Sequence, residues 1–178
     1  MKALIVVDMQ NDFCKSGGAL YNPAAESIIL NICTLIDSAL ACGDSIYFTR
    51  DTHYFEDYLE TQEGKNLPIE HCIYGTEGWR VVNELDINSS FNNAVFHLDK
   101  TQFGYDYWDD FKELKQADEI IVCGTITSIC VLTNVALLKT YFPEVPIKVY
   151  ANCVADITPE RQAAALECMR AMQVEVIE

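Results

Sequence analysis

Three side chains far apart in the chain, Asp8, Lys100 and Cys130, are a carboxylate, an ammonium and a thiol. Together they can take a proton from a nucleophile, keep the resulting thiolate paired and return the proton to a leaving group. Cys130 is the most informative. Ile120, Ile121 and Val122 read as a buried strand, Gly124 to Ser128 as a turn and Ser128 onward as helix. A thiol carried on that turn lies at the C-terminal edge of a sheet. Unpaired N–H groups and the positive end of a helix there favour thiolate and can hold an oxyanion. Each residue alone has a plainer reading: Cys130 as one of eight cysteines packed in a core, Asp8 as a turn former, Lys100 as a solvated partner of Asp99. Their convergence at strand ends is what points to chemistry.

A second group lies between them. Asp51 and His53 are separated by one residue where the chain leaves a strand, and His71 follows, so two of the three histidines fall in one loop. An Asp with two His suits a borderline divalent ion, Zn²⁺ first with Mn²⁺ or Fe²⁺ as alternatives, and leaves positions open for water or substrate. Glu60 and Glu63 can supply a fourth ligand, Glu63 being preferred for its place beside Gly64.

Alternating strands and helices position these groups. The expected strands are 3–7, 45–49, 94–98, 119–123, 147–151 and 174–177. The expected helices are 24–41, 79–85, 107–115, 128–141 and 159–172, with 51–78 a long loop of the kind that usually carries function. This succession predicts an α/β domain of three layers, helix, mostly parallel sheet and helix. Ligands in such sheets bind beyond the carboxyl ends of the strands, so Asp8, Asp51, Lys100 and the turn before Cys130 fall on one rim.

The 178 residues suit a single domain, 1–178, with a core that needs no staples. No apolar stretch is long enough to span a bilayer, and the run Ala3–Val7 breaks at Asp8 without a cleavage site, so a soluble, cytoplasmic protein is expected. The eight cysteines are scattered and lack Cys-x-x-Cys spacing, which favours reduced thiols. A formal net charge of −15 with dispersed Lys and Arg excludes nucleic acid and anionic membrane as natural partners.

The order of motifs resembles the isochorismatase-like superfamily of cysteine hydrolases, and within it nicotinamidases. Val6 to Phe13 is similar to the family's opening motif, and Gly17 to Leu20 to its glycine-rich continuation. Asp51–His53 with Pro68–Cys72 resembles its metal segment, Lys100 its lysine motif, and Gly124–Val131 with Thr133 its nucleophile motif. The resemblance covers nearly the whole chain and implies a Rossmann-like fold with a sheet of about six strands. It implies a triad of Asp8, Lys100 and Cys130, a cis peptide between Thr125 and Ile126, and an oxyanion hole from the N–H groups of Ile126 and Cys130. It also implies metal ligation by Asp51, His53 and His71, with Glu63 as the fourth candidate, the ion holding the pyridine nitrogen of the substrate. Phe13 and Leu20 would line the ring pocket, with Thr125, Ile126 and Phe103 as further substrate contacts.

Two segments depart from the pattern: Thr101–Tyr105 is shorter than the substrate loop of many nicotinamidases, and Tyr54–Lys65 lacks the family's usual His and Pro. The function implied is hydrolysis of a small carboxamide, nicotinamide to nicotinate and ammonia through a thioester, in NAD salvage, by a chain that can form homo-oligomers as family members do. The rival readings are a related amide or ureido hydrolase, an isochorismatase, a non-catalytic ligand- or partner-binding module, and a redox sensor pairing Cys130 with Cys123 or Cys153.

Overall fold

The computed structural model describes residues 1–87 and 94–178. Strands β1 (Ala3–Val7), β2 (Ser45–Asp51), β3 (Val95–Lys100), β4 (Ile120–Thr125), β5 (Ile147–Ala155) and β6 (Glu175–Ile177) form one sheet in the order β3-β2-β1-β4-β5-β6. Every pairing is parallel. All five β1 residues are buried, as befits a central strand covered on both faces. Along β1 the side chains alternate: Leu4 and Val6 join one core layer, and Ala3, Ile5 and Val7 the other.

The first layer is built on α1 (Asn11–Cys14), α2 (Pro23–Ser27) and α3 (Ile29–Cys42), which contribute Phe13, Ala25, Ile32 and Ile36 among others. The second is built on α5 (Leu132–Tyr141) and α6 (Pro159–Ala171), which contribute Val135, Leu138, Leu166 and Met169. A short α4 (Gln62–Asn66) lies in the long loop after β2. This is the three-layer, Rossmann-like architecture expected, with its topological switch between β1 and β4.

Several elements differ from the expectation. The helix expected over 24–41 is two pieces hinged at Ile28. Ser27 Oγ donates to the Ala24 carbonyl at 2.7 Å, a local bond that competes with continuing the helix. No helix forms over 79–85, because its backbone is used by the segment after β1: Asn11 N–H donates to Arg80 O, Val82 N–H to Met9 O, and Gln10 bridges Val81. The helix expected over 107–115 is two 3₁₀ turns, Trp108–Asp110 and Lys112–Gln116. Phe111 between them leaves the helical region (φ −89°, ψ 76°) and breaks the segment in two, while Trp108 and Leu114 are buried.

Candidate active site

β1 ends in Asp8, which takes the left-handed conformation (φ 50°) and so turns its carboxylate away from the strand's own course. An Asp tolerates that region better than most residues. Next to it β4 passes so close that a Cβ on Gly124 would lie 2.1 Å from the Val7 carbonyl oxygen, and Gly124 itself has φ +116°. The chain then runs through a cis peptide between Thr125 and Ile126, as expected, into a wide π-helical turn, Thr127–Val131, that carries Cys130. The turn starts one residue earlier than the expected helix, and regular α-helix begins only at Leu132. Asp156, at the end of β5, accepts the Ser128 N–H at 2.6 Å and the Ile157 N–H at 2.8 Å, anchoring the turn from its far side.

Lys100, the last residue of β3 rather than the first after it, brings the three groups together. Its ammonium lies 2.7 Å from Asp8 Oδ2, and it donates to Gln102 O at 3.0 Å, Asp51 Oδ1 at 3.5 Å and Cys130 Sγ at 3.8 Å. The side chains of Asp8 and Lys100 are each 1% exposed, so this charge pair is almost unscreened. Thr49 Oγ1 donates to Asp8 Oδ1 at 2.7 Å, and Oδ2 faces the Lys100 ammonium.

Burial raises the Asp8 carboxyl above the usual range despite the pull of Lys100. Asp51 goes the other way: burial would raise it, but Lys100 and the hydrogen bonds from His53 and His71 bring it well below. Two neighbouring carboxylates pushed apart in this way suit different tasks, one proton acceptor and one permanent anion. Lys100 is held protonated, because Asp8, Cys130 and Asp51 outweigh the cost of burial. Burial also pushes the Cys130 thiol well up, opposed by Lys100 and reinforced by Asp8. Burial thus opposes the thiolate that the helix-terminus argument favours. The thiol needs a base.

The loop after β2 gathers four donors. His53 Nε2 lies 3.1 Å and His71 Nε2 3.4 Å from Asp51 Oδ2, and Glu63 oxygens lie 3.9 Å and 3.8 Å from the same two nitrogens. Ligand atoms of all four fall within 4.8 Å of one another. His71 Nδ1 pairs with the Ile69 carbonyl at 2.8 Å, which turns Nε2 toward Asp51 and Glu63. Carboxylates and imidazoles converging this way fit a divalent ion of the zinc type. Glu63 is brought there because Thr61 caps α4, accepting the Gly64 N–H at 2.9 Å; Glu60 remains exposed outside the group.

Two residues that sequence reasoning left without a role hold this arrangement. The Gln10 side chain accepts the Asp51 N–H at 2.7 Å and donates to Asp51 O and Trp79 O, both at 2.8 Å, clamping the strand end that carries Asp51 to the one that carries Asp8. Asp12 accepts the Ala19 N–H at 3.0 Å and the Cys72 N–H at 2.7 Å, tying the glycine-rich turn to the loop that bears His71. Both lie in the run from Asp8 to Phe13, whose density of polar groups after a buried strand was the available signal.

A cavity of about 580 Å³ opens between the two groups. Cys130, Ile126, Asp51, Glu63 and His71 line it, as do Phe13, Leu20 and Phe103. Thr125 does not: its hydroxyl donates to Ala155 O at 3.2 Å inside the core. Tyr21, Asn22, Ile129 and Ile157 line it without having been expected there. All eight cysteines are free, and Cys123 and Cys153 pack in the core layer opposite that of Cys130. Neither is placed to pair with it.

Residues 2–178 match the family model described as the isochorismatase domain, and the chain belongs to that family. It is 28% identical over 189 residues to a nicotinamidase/pyrazinamidase of Mycobacterium tuberculosis, covering 99% of this chain and 98% of the relative. Among solved structures it is similar to a pyrazinamidase/nicotinamidase from Streptococcus mutans, at TM-score 0.89 and 27% identity, covering 99% and 100% of the two chains. It is also similar to a pyrazinamidase of Pyrococcus horikoshii in complex with zinc, at TM-score 0.82 and 26% identity, covering 99% and 98%. Among the described residues no helix is long and apolar enough to cross a membrane.

Proposed function

We propose that the chain hydrolyses a small aromatic carboxamide, nicotinamide in the first instance, to the acid and ammonia through a thioester on Cys130. The observation that carries this reading is Lys100, whose one ammonium touches Asp8, Cys130 and Asp51 and so joins the nucleophile to the metal group across one cavity. Asp8, the carboxylate beside Cys130, takes the thiol proton, and Lys100 keeps the thiolate paired. The sulfur adds to the carboxamide carbon, and the backbone N–H groups of Ile126 and Cys130 receive the oxyanion. Each such donor is worth on the order of 3 kcal/mol. Protonated Asp8 then gives its proton to the departing nitrogen, the C–N bond breaks and ammonia leaves. The same carboxylate next deprotonates a water that adds to the thioester, releasing the acid and returning the thiol.

Asp51, His53, His71 and Glu63 are the residues that would hold a zinc ion, which when bound supplies a Lewis-acid anchor for a ring nitrogen. Phe13, Leu20 and Phe103 offer the apolar walls that a flat ring needs. On this reading the chain serves NAD salvage, and its eight free thiols suit a reducing cytoplasm.

The test is ammonia release from nicotinamide, pyrazinamide and a panel of acyclic amides and ureido compounds, before and after chelation and after zinc is returned. Aromatic amides turned over only by the metal-loaded protein support the reading. Preference for ureido or acyclic substrates overturns the substrate assignment, and chelator-insensitive activity overturns the role of the metal.

A further inference from the structure

Asn134 is fully buried on α5, one turn after the nucleophile, and uses all four of its hydrogen-bonding positions. Its Nδ2 donates to the Cys130 carbonyl at 2.9 Å and to the Phe103 carbonyl at 3.4 Å. Its Oδ1 accepts the Tyr105 N–H at 3.0 Å and the Trp108 indole N–H at 3.1 Å. One amide thus grips the nucleophile's own backbone and three points of the segment that follows Lys100. Two further contacts press that segment into place. Lys100 donates to Gln102 O at 3.0 Å, and a Cβ on Gly104 would come within 2.5 Å of Leu137 Cδ1 and 2.8 Å of Thr133 Cγ2, so the chain lies hard against α5. Phe103, within this clamp, lines the cavity and is half exposed.

We propose that Asn134 is a positioning residue that registers the Phe103 wall of the cavity to the Cys130 thiol, and so sets which acyl groups meet the nucleophile. A side chain that merely filled the core would need no such pairing. Asn is the residue type that can offer two donors to two carbonyls and an acceptor to two N–H groups at once; a carboxylate of the same shape keeps the acceptor side and turns the donor side into repulsion. The inference rests on the amidase reading for its meaning in catalysis, but the registration itself can be measured without turnover.

The measurement is alkylation of Cys130 in the full-length protein by two reagents, resolved from the other seven cysteines by peptide mass. One reagent is iodoacetamide; the other is 3-(bromoacetyl)pyridine, a ring-bearing alkyl halide. In each case the sulfur forms a C–S bond, halide leaves with the bonding pair and the thiol proton passes to base. The native protein is expected to prefer the ring reagent. Asn134→Asp is expected to reduce that preference, read as the ratio of the two alkylation rates, about tenfold, the size of one or two buried hydrogen bonds. Phe103→Ala should reduce it similarly, and the double variant should lose no more than either single, because the two act as one unit. Additive losses in the double variant, or an unchanged preference in Asn134→Asp, overturn the proposal. Should Asn134→Asp not fold, Gly104→Ala displaces the same segment without touching Asn134: loss of the ring preference is expected, and its retention is contrary. A native protein that releases ammonia from no amide would defeat the amidase reading, while the alkylation cycle would still decide the role of Asn134.

Discussion

The two sides of the cavity are built differently. Asp8, Lys100 and the turn before Cys130 are carried at the ends of β1, β3 and β4, held by the ladder of a parallel sheet, and the side chains of Asp8 and Lys100 are sealed from solvent. Of the metal group only Asp51 belongs to a strand; His53, Glu63 and His71 come from a loop with short helical turns, and Glu63 is 25% exposed. On the proposed mechanism the difference follows from what each side must do. Proton transfer needs groups placed to a fraction of an ångström before the substrate arrives, and only a sheet core over-determines positions so well. A metal site can close on its ion, so its ligands tolerate a softer scaffold.

The comparison breaks most visibly at the sulfur. Cys130→Ala is expected to lower kcat by about 10⁴-fold or more while leaving zinc content, measured on the purified protein, unchanged. A simultaneous loss of metal would mean that the two sides are not separable. Lys100→Met strikes both sides at once, because it leaves the Asp8 and Asp51 carboxylates buried without their cation. Breaking such a buried pair costs about 3–5 kcal/mol, which urea unfolding would read. An unchanged midpoint would contradict the charge balance described. Glu63→Gln should weaken zinc binding about 10- to 100-fold, with activity restored by excess zinc. Failure of zinc to restore it would place Glu63 outside the metal group. The smallest effect is expected from Thr49→Val, which removes one donor to Asp8. The loss of about tenfold in kcat, the worth of a hydrogen bond to a charged group, should not be repaired by zinc, and repair would undo the separation.

Legibility from sequence divides along the same line. Strand-end residues such as Asp8, Lys100 and Cys130 were readable because a buried strand announces itself by its apolar run and the rim rule then places whatever follows it. The loop was not readable in the same way. Glu63 could be proposed as a ligand only from its neighbour Gly64, and the cap from Thr61 that brings it in leaves little trace in hydrophobic pattern. The segment 79–85 has helix-like spacing, yet its backbone is consumed by Met9–Asn11, a tertiary demand invisible to local reading. Gln10 and Asn134 were missed for the same reason: a buried amide shows its role only when its partners, tens of residues away, are in place.

The central claim is that a buried thiol, and not a metal-activated water alone, attacks the amide carbon. Acid-quenching the native protein during turnover of nicotinamide and weighing the Cys130 peptide tests it directly. This peptide, and no other cysteine peptide, is expected to be heavier by one nicotinoyl group, and the added mass to decay as nicotinate appears. Steady turnover with an unmodified Cys130 peptide, or turnover that persists in Cys130→Ala, would contradict it.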